Sequence, residues 1–108
     1  MKKAKRQRLE RAGWKFGSAQ DFLQLSNEEE NFVELKLALS DGLRRKRELL
    51  GLTQTQLAKK LSSSQSRVAK MEAGDRSVSL DLLVRSLFAL GVSRRELAHM
   101  IAPSRRAA

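Results

Sequence analysis

The sequence predicts an all-α fold, and three observations carry that prediction. Hydroxyl side chains recur at helix-cap positions, several of them followed three residues later by Glu or Gln. Apolar residues return at helical spacing after each cap, and glycine stands just past the end of several of these segments. No stretch alternates polar and apolar residues convincingly, so no strand is expected.

In chain order, Lys2 to Ala12 reads as a basic, helix-prone arm ended by Gly13, followed by an aromatic connector of Trp14, Lys15, Phe16 and Gly17. Ser18, with Asp21 three residues on, caps a brief helix carrying Phe22, Leu23 and Leu25. Ser26 with Glu29 opens a long helix through Leu50, and Glu28, Glu29 and Glu30 complement its positive N-terminal dipole. Phe32, Val33, Leu35, Leu37, Leu39 and Leu43 exceed what one apolar stripe needs, so its first half should be covered by the N-terminal segment or another subunit. Gly42 weakens this helix by about 1 kcal/mol relative to alanine and marks either a bend or close packing.

Gly51 ends that helix, and Thr53 with Gln56 forms a second capping box. Leu57, Ala58 and Leu61 give the next helix its buried face. After the serine turn, Ser64 caps a helix that buries Val68 and Met71, turns Gln65, Ser66, Arg67 and Lys70 outward, and closes at Gly74. Asp75 to Ser77 is a polar loop. Ser79 caps a helix with Leu80, Leu83, Val84, Leu87, Phe88 and Leu90 as core candidates, stopped by Gly91. Ser93 with Glu96 begins the last helix, running through Leu97, Met100 and Ile101 to Pro103, and a disordered tail is expected beyond it.

Two short helices joined by a tight turn, the second with a polar outward face, is the layout of a helix-turn-helix, whose second helix lies in the DNA major groove. The segment from about Leu37 to Leu97 resembles the lambda-repressor/Cro superfamily, specifically regulators of the xenobiotic-response-element type. The matching residues are Leu52-Thr53-Gln54, Leu57-Ala58, Ser64, Glu72 and Gly74, then Leu80, Leu83, Leu87, Leu90 and Gly91-Val92-Ser93. The resemblance implies a compact five-helix DNA-binding domain, here with a basic N-terminal helical extension. The expected division is 1–25 for the extension, 26–102 for the domain and 103–108 for the tail. One departure is Ser62, standing where the family commonly has glycine; a positive φ there would strain a serine by about 1 kcal/mol.

The chain of 108 residues carries 22 Lys+Arg against 12 Asp+Glu, a net charge of +10 that points to a polyanionic partner. Solvated charge alone would explain the number, but the cations gather at the N-terminus (Lys2, Lys3, Lys5, Arg6, Arg8, Arg11, Lys15), around the motif (Arg44 to Arg47, Lys59, Lys60, Arg67, Lys70) and near the end. Nucleic acid explains that placement better. The chain has no cysteine, which excludes a disulfide scaffold and a thiolate metal site, and its lone His99 has no partner for a metal. No apolar run is long enough to cross a bilayer and no secretory leader is evident, so a bacterial cytoplasmic protein without a membrane role is expected.

Base readers should sit near the N-terminus of the second motif helix. Gln65 is the first candidate, because an amide pairs bidentately with adenine N6 and N7. Arg67 reads guanine or holds a phosphate, Ser66 is short and permissive, and Lys70 meets either a base or the backbone. An ordinary solvated helix face is the plainer alternative for all four. Gln54, opening the first motif helix, is placed to grip a phosphate together with backbone donors. The resemblance also implies a structural pair between Arg47 and Glu72. Trp14, Phe16 and Phe22 either pack onto their own domain or a dimer mate, or anchor another protein; the first reading is preferred because small domains need every apolar anchor.

The expected function is sequence-specific transcription regulation, as a dimeric repressor on double-stranded DNA with no cofactor. The alternative is the antitoxin of a toxin–antitoxin pair, which binds a toxin and represses its own operon. An enzyme is not expected, since no phosphate loop, nucleophile or acid–base constellation is present.

Overall fold

Each helix of the motif region starts where a hydroxyl group can satisfy otherwise unpaired backbone N–H groups. A computed structural model describes residues 3–15 and 26–102. They form α1 (Lys3–Arg11), α2 (Asn27–Leu49), α3 (Gln54–Lys60), α4 (Gln65–Ala73), α5 (Leu80–Ala89) and α6 (Arg94–Ile101), with no strand among them. The expectations for Phe16, Gly17, 18–25 and 103–108 lie outside the described residues. Among the described residues the count is six helices rather than five, because α1 packs through Leu9 onto the helix that carries the motif core.

The three capping boxes expected from Ser26, Thr53 and Ser93 all form. At the second, Thr53 Oγ1 accepts from Gln56 N at 3.1 Å while Gln56 Oε1 accepts from Thr53 N at 2.8 Å. Ser64 and Ser79 cap α4 and α5 by accepting from Arg67 N and Leu82 N. Such a cap contributes about 1 kcal/mol, enough to decide where a helix of seven to ten residues starts.

The main core joins Leu39 and Leu43 of α2, Leu57 and Ala58 of α3, Val68 and Met71 of α4, Leu83 and Leu87 of α5, and Val78, Leu90 and Val92 from the connections. A second cluster joins Leu9 of α1 to Val33 and Leu37 of α2, with Trp14 against it. It accounts for the apolar surplus on the first half of α2: the N-terminal segment covers it. Lys5 to Glu34 (2.7 Å) and Arg8 to Asp41 (2.6 Å) pin α1 from the side.

Three apolar expectations are corrected. Phe88 is 43 % exposed, because it shares its side of α5 with Asp81 and Arg85, which pair on the surface. Phe32 is 47 % exposed, lying one helical turn beyond the exposed Glu28 and Glu29. Ile101 is also 47 % exposed, while Leu97 and Met100 carry the packing of α6. Gly42 marks close packing: a Cβ there would sit 2.5 Å from Met100 Sδ, so its missing side chain lets α6 lie against α2. Among the described residues no helix is long and apolar enough to cross a membrane.

Candidate DNA-binding face

The serine turn sets the relation of α3 to α4. Ser62 adopts φ 54°, the left-handed conformation that glycine takes freely, and the turn closes through Ser62 N to Lys59 O and Ser63 N to Ala58 O. The strain expected for serine at this position is therefore present. Beneath the turn, Leu57, Ala58, Val68 and Met71 are all buried, so the angle between the two helices is held by packing.

At the far end of α4, Gly74 takes φ 72° and Asp75 N reaches back to Lys70 O at 3.0 Å. A Cβ on Gly74 would stand 2.8 Å from Leu37 Cδ2, so the recognition-type helix ends directly against α2. Asp75 Oδ1 accepts from Ser77 N and Oγ, which holds the carboxylate below its usual pKa, helped by the charges of Lys70 and Lys36. The loop beyond is locked to the N-terminal segment. Trp14 Nε1 donates to Gly74 O (3.3 Å), Arg76 N to Ala12 O (2.9 Å) and Lys36 Nζ to Arg76 O (3.2 Å). Trp14 thus packs onto its own domain, as preferred from the sequence.

Lys36 was missed by sequence reasoning. It is buried, its ammonium lies 5.2 Å from the Trp14 ring centre, and burial lowers its pKa against the opposing pull of Asp75. The signal was available: Lys36 stands three residues after Val33 and seven before Leu43, on the core stripe of α2.

Of the five expected site residues, Gln65, Ser66, Arg67 and Lys70 lie exposed on α4, and Gln54 is half-buried at the start of α3. Gln54 and Gln65 meet, with Gln65 Nε2 donating to Gln54 Oε1 at 2.8 Å. Ser66 Oγ lies 3.3 Å from Ser64 Oγ. The guanidinium of Arg67 makes no hydrogen bond or ion pair among the described residues. Lys70 faces the field of Asp75.

Behind this face sits the pair implied by the resemblance. Arg47 Nε and Nη2 donate to the two carboxylate oxygens of Glu72 at 2.6 and 3.1 Å, and Arg47 Nη1 donates to Leu52 O at 2.9 Å. The Arg47 and Glu72 side chains are only 14 % and 5 % exposed, so the charges are largely desolvated and need each other. Hydrogen bonding to Glu72 raises the Arg47 pKa above its already high ordinary value. Gln54 Nε2 also donates to Glu72 Oε1, at 3.1 Å. This contact, spanning 18 residues of sequence, had no local signal.

A rigid buried pair, a strained but closed turn and an exposed polar helix face together make a surface suited to a groove lined with hydrogen-bonding groups. Residues 43–97, half of the chain, match the helix-turn-helix family model. No curated protein and no solved structure matches the chain.

Proposed function

The chain belongs to the Cro/C1-type helix-turn-helix family, a family of DNA-binding transcription regulators, and on that premise we propose that it is a sequence-specific dimeric repressor. In this reading α4 enters the major groove of double-stranded DNA, with residues 26–102 as the binding domain and 1–25 as its basic extension. The observation that carries it is the exposed Gln65, Ser66, Arg67 and Lys70 face on a helix anchored from behind by Arg47 and Glu72.

Gln65 presents an amide to base edges, Arg67 an uncommitted guanidinium to guanine or phosphate, and Lys70 a cation one turn later. Gln54 and the N-terminal N–H groups of α3 face a phosphate. One such helix covers few base pairs, so two copies on a two-fold-related operator, with half-sites about 34 Å apart, supply the remaining affinity and specificity. Leu49 and Leu50, exposed by 82 % and 47 % at the end of α2, give the domain apolar surface for a second copy. No specific observation favours the antitoxin alternative. Trp14, its natural anchor, is half-buried against Gly74 and Lys36 of its own domain.

The test is fluorescence-anisotropy binding to the DNA upstream of the gene and to a shuffled control, at two salt concentrations. Tighter binding upstream that persists at the higher salt supports operator recognition. Equal affinities that collapse together with salt leave only backbone attraction and defeat the proposal for that DNA.

A further inference from the structure

The hydrogen bonds behind α4 have a direction that chemistry alone dictates. An ionised carboxylate only accepts, so whatever faces Glu72 must donate. Arg47 does so with two N–H groups, and Gln54 turns its amide nitrogen to Glu72 Oε1 at 3.1 Å. The Gln54 carbonyl oxygen must then point the other way, where it accepts from Gln65 Nε2 at 2.8 Å. Gln65 in turn spends one of its two amide hydrogens inward. Its carbonyl oxygen and its second N–H remain for an outside partner, since no other hydrogen bond to this side chain occurs among the described residues.

We infer that Glu72 is a specificity-setting positioning residue: its charge orients the Gln54 amide, which orients the Gln65 amide into a mixed acceptor–donor pair suited to adenine. The inference rests on the reading that Gln65 faces base edges. Adenine offers the N6 amino group as donor beside N7 as acceptor, which an outward oxygen and N–H match. A free glutamine could turn over and show two N–H groups to guanine O6 and N7 instead. The buried carboxylate prevents that turn without touching DNA itself.

The neutral isostere breaks the relay. Glu72 Oε1 accepts from both Arg47 Nη2 and Gln54 Nε2, while Oε2 accepts from Arg47 Nε. In Glu72→Gln either orientation of the new amide opposes one Arg47 N–H to its NH2, so residue 72 can turn an acceptor or a donor to Gln54. Gln54, and with it Gln65, loses its fixed direction. Gln54→Leu removes the relay while leaving Arg47 and Glu72 paired, so Gln65 becomes free to adopt either orientation.

The experiment selects binding sites from a randomised duplex library with the full chain and with Gln65→Ala, Glu72→Gln and Gln54→Leu, after helical content and unfolding midpoint show which variants are folded. Gln65→Ala identifies the base pair that this residue reads. At that pair Glu72→Gln and Gln54→Leu should each bring adenine and guanine within a few-fold, from a starting discrimination on the order of tenfold or more. A phosphate held by Gln54 in the wild type is the same for every sequence, so its release in Gln54→Leu weakens all sites alike and cancels in the ratio. Unchanged adenine preference in folded Gln54→Leu overturns the relay even if Glu72→Gln is unfolded, while the reading of Gln65 stands. If Gln65→Ala changes no position, the reading itself fails.

Discussion

Arg47→Met should be among the most damaging single substitutions in the chain. The wild-type guanidinium makes two bonds to Glu72 and one to Leu52 O, with side-chain exposures of 14 % and 5 % across the pair. Removing it leaves a carboxylate under the fold with one neutral donor, Gln54, and leaves the Leu52 carbonyl without this partner. Breaking a buried pair costs about 3–5 kcal/mol, and the partial exposure of Arg47 argues for the lower end, about 3 kcal/mol. Against a total of about 5–15 kcal/mol this is a large share, and it lowers Tm by roughly 12–24 °C. Arg47→Met with Glu72→Met removes both charges and fills similar volume, so it should return to within about 1 kcal/mol of wild type. Urea unfolding followed by far-ultraviolet circular dichroism gives all corners of the cycle. A loss under about 1 kcal/mol for Arg47→Met, or a double variant that simply sums the single losses, would show the pair to behave as a surface ion pair and refute the reasoning.

Other consequences are as direct. Ser62→Gly relieves a left-handed serine and should raise stability by about 1 kcal/mol in calorimetry; a fall would show that the serine side chain does more than occupy the turn. Leu9→Ala empties a fully buried site between α1 and α2 and should cost about 2–5 kcal/mol, with the base preferences of the folded protein unchanged. Deleting residues through Lys15 should likewise lower stability as well as DNA affinity, because it uncovers Val33 and Leu37 and removes the Trp14 bond to Gly74. The Asp75 carboxyl is held below its ordinary 3.8 in the folded chain, so its contribution is present above about pH 4 and disappears as pH falls through the folded value. Asp75→Asn should therefore be the less stable protein at pH 7 and match wild type at strongly acid pH; parallel stability curves across that range would contradict the assignment.

The start and end of each motif helix were legible in the sequence because capping is settled within four residues: Ser or Thr, the N–H groups after it, and the Glu or Gln that reaches back. The outward face of α4 was legible for the same reason, since Val68 and Met71 orient the helix and leave Gln65, Ser66, Arg67 and Lys70 on the other side. What the folded chain alone decided are contacts across long separations. Trp14 finds Gly74, Lys36 finds Arg76, and Gln54 lies between Gln65 and Glu72. Periodicity places a residue on a face but says nothing of which partner's face it meets. For Phe88 periodicity held the answer, since Asp81 and Arg85 mark its side of the helix as surface, whereas its apolar character alone pointed to the core. Sequence determined the helices and the kind of surface they offer; helix packing decided which of those side chains are held, and in which direction their donors and acceptors point.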